Sequence, residues 1–308
     1  MIGAIIVLIL AVIFIRNTPK EIEYIETEQA FIRNGLSTNT SKRSIDLNQI
    51  LDGGPGKDGI PSINNPNFIP IRESDIPDDT LGILVQSEME NKFYPYNILV
   101  WHEIVNDTID DTPISITFCP LCGSAIVFER QNMTFGVSGK LFESNLLMYD
   151  DLTESLWSQA LGEAVVGDKL GVKLNIYQSD IITQGEAERS FPNAISLSTD
   201  TGSNRNYSLY PYGDYNESES LIFSTSIDDK RFPPKTLLYV VPNNNSSIAF
   251  VREDLLKSMV AEKSGVKVEV QNDGTIKAMR DNINLPGYTE MWFSWSTHHQ
   301  EDGTIWSN

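Results

Sequence analysis

From about residue 81 onward, short apolar runs of four to seven residues alternate with clusters of Gly, Asn and Asp. Runs of that length bounded by turn formers predict strands, with a few helices between them. The preceding stretch, Leu51-Asp-Gly-Gly-Pro-Gly-Lys-Asp-Gly-Ile-Pro-Ser-Ile-Asn-Asn-Pro-Asn-Phe68, is dense in turn formers and predicts loops pinned against a folded body. Residues 17–50 are polar and predict a stalk. Residues 2 to 15 are uninterrupted apolar and end at Arg16. At about 1.5 Å per residue this run spans roughly 21 Å, less than the ~30 Å hydrocarbon core of a bilayer. No charged residue precedes it and no small-x-small cleavage site follows, so residues 1–16 predict a hydrophobic anchor helix, or a signal segment, that stays attached.

The pattern also repeats. Leu81-Gly-Ile-Leu-Val85, Lys92-Phe-Tyr-Pro-Tyr-Asn-Ile-Leu-Val100 and Ile114-Ser-Ile-Thr-Phe-Cys119 are echoed by Thr236-Leu-Leu-Tyr-Val-Val241, Ser247-Ile-Ala-Phe-Val-Arg-Glu-Asp-Leu-Leu256 and Val266-Lys-Val-Glu-Val270. Each copy reads strand, turn, strand, short helix, strand, and each is followed by a Trp segment, Ser155-Leu-Trp-Ser-Gln159 or Met291-Trp-Phe-Ser-Trp295. The expected fold is therefore α+β and β-rich: a single extracytoplasmic domain over 51–308 with copies at about 81–165 and 236–308. The second copy has no counterpart of Trp101-His-Glu-Ile-Val-Asn-Asp107 or of the cysteines, so these decorations ask for a local reason.

The formal net charge of -19 disfavours nucleic acid, whose backbone demands clustered Lys and Arg. Sequons begin at Asn39, Asn106, Asn132, Asn206, Asn216, Asn244 and Asn245 and fit a glycoprotein outside the cytoplasm, with cell-surface proteins or glycans as candidate partners. Arg16 and Lys20, C-terminal to the apolar run, weigh slightly against that orientation.

The chain has two cysteines, in Cys119-Pro-Leu-Cys122-Gly-Ser, between the strand-like runs Ile114–Phe118 and Ala125–Phe128. A tight turn turns both sulfurs the same way, so the pair can hold a metal ion or trade electrons as a dithiol. The β-branched residues after Cys122 do not open a helix, and the turn is closer to the metal knuckle of zinc ribbons and rubredoxins. Such folds use two knuckles; here a metal needs further ligands. Of the three histidines, His102 precedes the knuckle on a segment read as a helix, and His299 closes the second copy beside His298. Cys119, Cys122, His102 and His299 are thus the candidate ligands for Cu(I) or Zn. A structural disulfide in an oxidising compartment and a reactive dithiol remain open alternatives. A cell-envelope enzyme using Glu103, Asp107 and Asp150 as acid or base is a further reading. Met148 reads as core, and Trp157, Trp292, Trp295 and Trp306 as core anchors. Gly136-Val-Ser-Gly-Lys140 lacks the spacing of a phosphate loop, so no nucleotide cofactor is expected, and no Gly-x-Ser-x-Gly occurs.

The strings Asp58-Gly-Ile-Pro-Ser-Ile-Asn-Asn-Pro66, Trp101–Asp107, Phe118-Cys-Pro-Leu-Cys-Gly-Ser124, Phe135-Gly-Val-Ser-Gly-Lys-Leu141 and Ser155–Gln159, in that order, resemble the family catalogued as domain of unknown function 3179. The resemblance spans about 51–308 and implies a shared fold and site without naming an activity. The family's pattern often ends Trp-x-x-Phe-His-Pro-Asp-Thr; here Trp295-Ser-Thr-His-His-Gln-Glu-Asp302 keeps the His at 299 and replaces its aromatic residue by His298. Together these readings give a membrane-anchored extracytoplasmic protein whose knuckle binds Cu or Zn or acts in thiol redox. The alternative is a cell-surface interaction module with a structural disulfide.

Overall fold

The computed structural model describes residues 35–243 and 246–308. The apolar run at 2–15 and the sequons at Asn244 and Asn245 lie outside the described residues. Among the described residues no helix is long and apolar enough to cross a membrane. The described residues contain four α-helices, Tyr96–His102, Gln184–Ser190, Arg252–Ser258 and Trp292–His298, among strands arranged in several sheets, so the chain is β-rich α+β.

The site is positioned by an eight-stranded sheet drawn from both halves of the chain. Its strands run Thr304–Trp306, Ser246–Val251, Leu237–Asn243, Tyr288–Met291, Ser124–Glu129, Thr112–Cys119, Ile104–Ile109, with Ile176–Tyr177 also paired to Ser124–Glu129. A five-stranded sheet, Ile50–Asp52, Phe135–Phe142, Asn145–Asp150, Leu156–Ser158 and Glu163–Val166, packs against it. Their shared core holds both cysteines with Trp157, Trp292 and Trp295. A buried Trp removes about 200 Å² from water, worth roughly 5 kcal/mol. Each of the three also finds a partner for its N–H: Asp150 Oδ2 at 2.9 Å, Asp229 O at 2.8 Å and Ser247 Oγ at 2.8 Å.

Two segments have the same element order. In the first, the hairpin Leu81–Gln86 and Asn91–Pro95 leads to Tyr96–His102, and then to the hairpin Ile104–Ile109 and Thr112–Cys119. In the second, Leu237–Asn243 and Ser246–Val251 lead to Arg252–Ser258, and then to Val260–Lys263 and Val266–Val270. Both helices are stopped by a residue at positive φ, Glu103 (57°) and Met259 (61°). Both following turns carry two positive-φ residues, Asp110-Asp111 and Ser264-Gly265, the geometry that suits a tight hairpin.

Along the described part of 17–50 the chain lies against the folded body. Leu36 and Leu47 are buried in a cluster with Leu147, Leu156, Val165 and Val166, and Ile50–Asp52 pairs with Phe135–Phe142. Two isolated leucines with no period leave no trace in a hydrophobic pattern, yet each finds a pocket. The Gly-rich loop after Asp52 is tied down by Gly53 N–H to Gly139 O at 2.8 Å and Asp58 N–H to Val137 O at 2.9 Å.

Gly139 is where that loop meets a bulge in the Phe135–Phe142 strand; its φ is +72° and a Cβ there would lie 2.5 Å from the Gly56 backbone. Gly171 has φ +81° but open space around it. Gly171→Ala therefore costs about 1 kcal/mol for left-handed backbone, and Gly139→Ala costs that plus displacement of the loop. Urea unfolding of the two variants reads the difference; equal losses would mean that the loop yields freely.

Candidate functional site

Cys119 ends one strand and Ser124 begins the next, paired across a turn that Gly123 closes at φ +55°. Both cysteines are free thiols, 2% and 0% exposed. Around Cys122 a polar network crosses from the five-stranded sheet. The Asn145 amide donates to Cys122 Sγ at 3.0 Å, and Ser124 Oγ lies 3.2 Å from the same sulfur. The orientation of Asn145 is set by its own carbonyl, which accepts from Ala160 N–H at 3.0 Å and so leaves Nδ2 facing the sulfur. Gln159 Oε1 accepts from Ser124 Oγ at 2.5 Å and from Asn145 at 2.9 Å, while its Nε2 donates to Thr117 Oγ1 at 3.0 Å.

The two thiols are driven apart in acidity. For Cys122 burial pushes upward, but hydrogen bonds with Cys119, Ser124 and Asn145 outweigh it and the thiol sits below its ordinary value. Cys119, held up by burial and by donating to Cys122, sits well above. Two buried carboxyls lie within electrostatic reach of Cys122. Glu103, 6% exposed at the helix stop, is pushed up to about 8 by burial and then by Cys122. Glu290, fully buried on Tyr288–Met291, is raised well above the carboxylate range by the same causes. Its Oε1 accepts from Ser294 Oγ at 2.6 Å; its Oε2 has no partner. Met291 N–H donates to Cys122 O at 2.9 Å, so the second half of the chain grips the cysteine turn directly. Tyr215 covers it from outside, donating to Leu121 O at 2.7 Å. A cavity of about 60 Å³ lies beside the turn, lined by Glu103, Leu121, Leu146, Tyr212 and Phe223.

The expected ligand set is brought together only in its sulfurs. His102 is buried with both ring nitrogens engaged: Nδ1–H donates to Pro61 O at 2.7 Å and Nε2 accepts from Tyr207 OH at 2.6 Å. His299 stacks near Trp295, with Nδ1 3.4 Å from Asp302 Oδ1. Among the described residues no three His, Cys, Asp or Glu side chains form a group that could hold a metal. Of the carboxylates considered for acid–base work, Asp107 is bound by Tyr94 OH at 2.7 Å and Lys92 Nζ at 3.1 Å, and Asp150 by the Trp157 indole and Thr153. Glu103 alone of the three faces the sulfurs. Asn145 lies in the polar stretch 134–150, whose sequence already invites a functional reading, and Gln159 ends a motif string, whereas nothing around Glu290 marks it. Asn106, one of the sequons, is 2% exposed and donates to Asn64 Oδ1 and Phe135 O, so in the folded chain it is a structural amide.

A family model described as "Protein of unknown function (DUF3179)" matches residues 57–285. The chain belongs to this family. The matched span contains both cysteines, Glu103, Asn145 and Gln159 and ends before Glu290 and His299. No curated protein and no solved structure matches the chain.

Two measurements check the electrostatics. Replacing Asn145 by Ala removes a hydrogen bond to a charged sulfur, and the first thiolate seen by ultraviolet absorbance should titrate about one pH unit or more higher. For Glu103 the folded value exceeds the unfolded 4.5, so its contribution to stability is full below 4.5 and is lost as pH rises toward about 8. Across that window the stability of the native protein minus that of Glu103→Gln should fall by about 1.4 kcal/mol per pH unit. A flat difference would mean Glu103 is ionised in the fold.

Proposed function

We propose that this chain is a buried dithiol redox protein that reduces small oxidants of the hydroperoxide class. The observation that carries the reading is a pair of buried free thiols on one turn, with the Asn145 amide 3.0 Å from Cys122 Sγ, an arrangement that sets the two acidities apart beside Glu103. Cys122, the thiolate, is the nucleophile, Cys119 the resolving thiol and Glu103 the proton carrier. Closure of the site favours a small oxidant over a protein disulfide, because both sulfurs are buried and the adjoining cavity is only about 60 Å³.

The chemistry balances within the site. Cys122 thiolate attacks the outer oxygen of ROOH; an S–O bond forms, the O–O bond breaks, and Glu103 protonates the departing alkoxide to ROH. Cys119 then passes its proton to the Glu103 carboxylate and attacks Cys122 Sγ, forming the disulfide. The displaced hydroxide leaves as water with the proton from Glu103. Two thiols lose two electrons, and the negative charge that began on Cys122 ends on Glu103.

The same two sulfurs offer a soft ion such as Cu(I) a two-sulfur site. Four-coordinate zinc fits less well, since the remaining neighbours of Cys122 are an amide and a hydroxyl. Two wider expectations belong to the proposal: that the two like-ordered segments descend from a duplication, supported by their matching helix stops and turns, and that the apolar run at 2–15 anchors the domain outside the cytoplasm.

One equivalent of tert-butyl hydroperoxide added to reduced, metal-free protein should yield tert-butanol and lower the intact mass by two hydrogens. In Cys119→Ser the reaction should stop at one added oxygen on Cys122. Glu103→Gln should slow oxidation by about a hundredfold or more. Unreacted thiols, or stoichiometric copper or zinc in freshly purified protein by elemental analysis, would overturn the redox reading.

A further inference from the structure

The eight-stranded sheet forks. On its side toward the second half, Ser124–Glu129 pairs with Tyr288–Met291 at a single position, Thr289 opposite Ala125, and two residues later with Ile176–Tyr177 through Tyr177 opposite Val127 and Ile176 opposite Phe128. Pro286 has no N–H to continue the ladder, and Gly287 N–H goes instead to Gln178 Oε1 at 3.1 Å. The strands part at Ile126 and leave a cleft of about 300 Å³ between the two halves of the chain. Ile126, Phe128 and Tyr288 line it, with His298, His299 and Asp302 on the same wall.

The hydrogen-bonding state of that wall is readable from its neighbours. His298 Nδ1 lies 2.9 Å from Ser294 O, a carbonyl that can only accept, so Nδ1 carries the proton and Nε2 a lone pair. His299 has no hydrogen bond at either ring nitrogen; Nδ1, 3.4 Å from Asp302 Oδ1, is the nitrogen beside which the carboxylate favours the proton, and that places the lone pair on Nε2. Both Nε2 atoms are buried without a partner. Burial keeps both imidazoles neutral, His298 pushed down to about 4. Two acceptors shut away from water ask for a ligand that donates. The cleft's formal charges, Glu163 and Asp302 against Lys173, sum to one negative. Anions are thereby disfavoured, and a group with three N–H donors and a positive charge matches two imidazole lone pairs and a carboxylate.

We infer that the cleft at the sheet fork binds a small organic primary ammonium ion, its apolar body against Ile126, Phe128 and Tyr288 and its N–H groups on His298, His299 and Asp302. The site lies across the Ser124–Glu129 strand from the cysteines and does not rest on their chemistry.

Calorimetry on the full chain tests this with phenethylammonium, phenethyl alcohol, phenylpropionate, glucose and zinc chloride. The ammonium should bind one per chain and at least about tenfold tighter than the alcohol, with no heat from phenylpropionate. Asp302→Asn, at an exposed acid whose loss cannot unfold the chain, should weaken it about two- to fivefold. His298→Phe, which keeps the ring contact with Phe142, should weaken it about tenfold at an unchanged melting temperature. Binding should persist in the Cys119→Ser, Cys122→Ser double variant, which separates this site from the redox reading. Equal affinity for the alcohol, tighter binding of glucose or zinc, or variants that bind as the native protein does, would each overturn the assignment.

Discussion

The hydrogen bond from Asn145 to the Cys122 sulfur is the joint of this molecule. Asn145 belongs to the five-stranded sheet and Cys122 to a turn of the eight-stranded one, so this amide ties the two layers at the cysteine turn. Its geometry is not free: Ala160 N–H fixes the carbonyl, Gln159 holds the other side, and Met291 N–H fastens the turn from the second half of the chain. The Asn145 donor, oriented by Ala160 and Gln159, helps to hold the Cys122 thiol below its ordinary value in spite of burial.

Desolvation is the common cause behind the remaining electrostatics. It raises Glu103 and Glu290, raises Cys119, and lowers His102, His298 and His299. Each of these groups is pushed toward its neutral form, whereas Cys122 goes the other way because its hydrogen bonds exceed the burial penalty. A charge on Cys122 keeps these acids neutral, because a second ionisation would place like charges together in a medium of low dielectric.

Both sites arise where the halves of the chain meet. The cysteine turn takes its surroundings from the first half and its clamp from Met291, while the cleft opens because two strands compete for the edge of Ser124–Glu129. Sheet strands have one hydrogen-bonding edge on each side, so a change of partner along that edge leaves a gap that side chains must fill or a ligand can enter. Junctions of this kind favour binding because they are concave without costing either half its core.

Short apolar runs between turn formers were enough to determine a strand-rich α+β chain and a cysteine turn between two strands, since those properties depend on neighbours a few residues apart. The ordered motif strings likewise determined the family. Tertiary structure alone decided the rest. Trp101–Asp107 reads as one unit, yet the helix stops at His102 because Glu103 adopts positive φ, and the remainder pairs as a strand. That stop sends the two neighbours apart: His102 to Pro61 and Tyr207, Glu103 to the sulfurs. Leu36 and Leu47, unremarkable in a polar stretch, found a pocket, and Glu290, more than 160 positions from Cys122, became its neighbour through one strand pairing. Periodicity reports which face of an element is apolar; which distant residue that face meets is settled by packing, and charge follows packing.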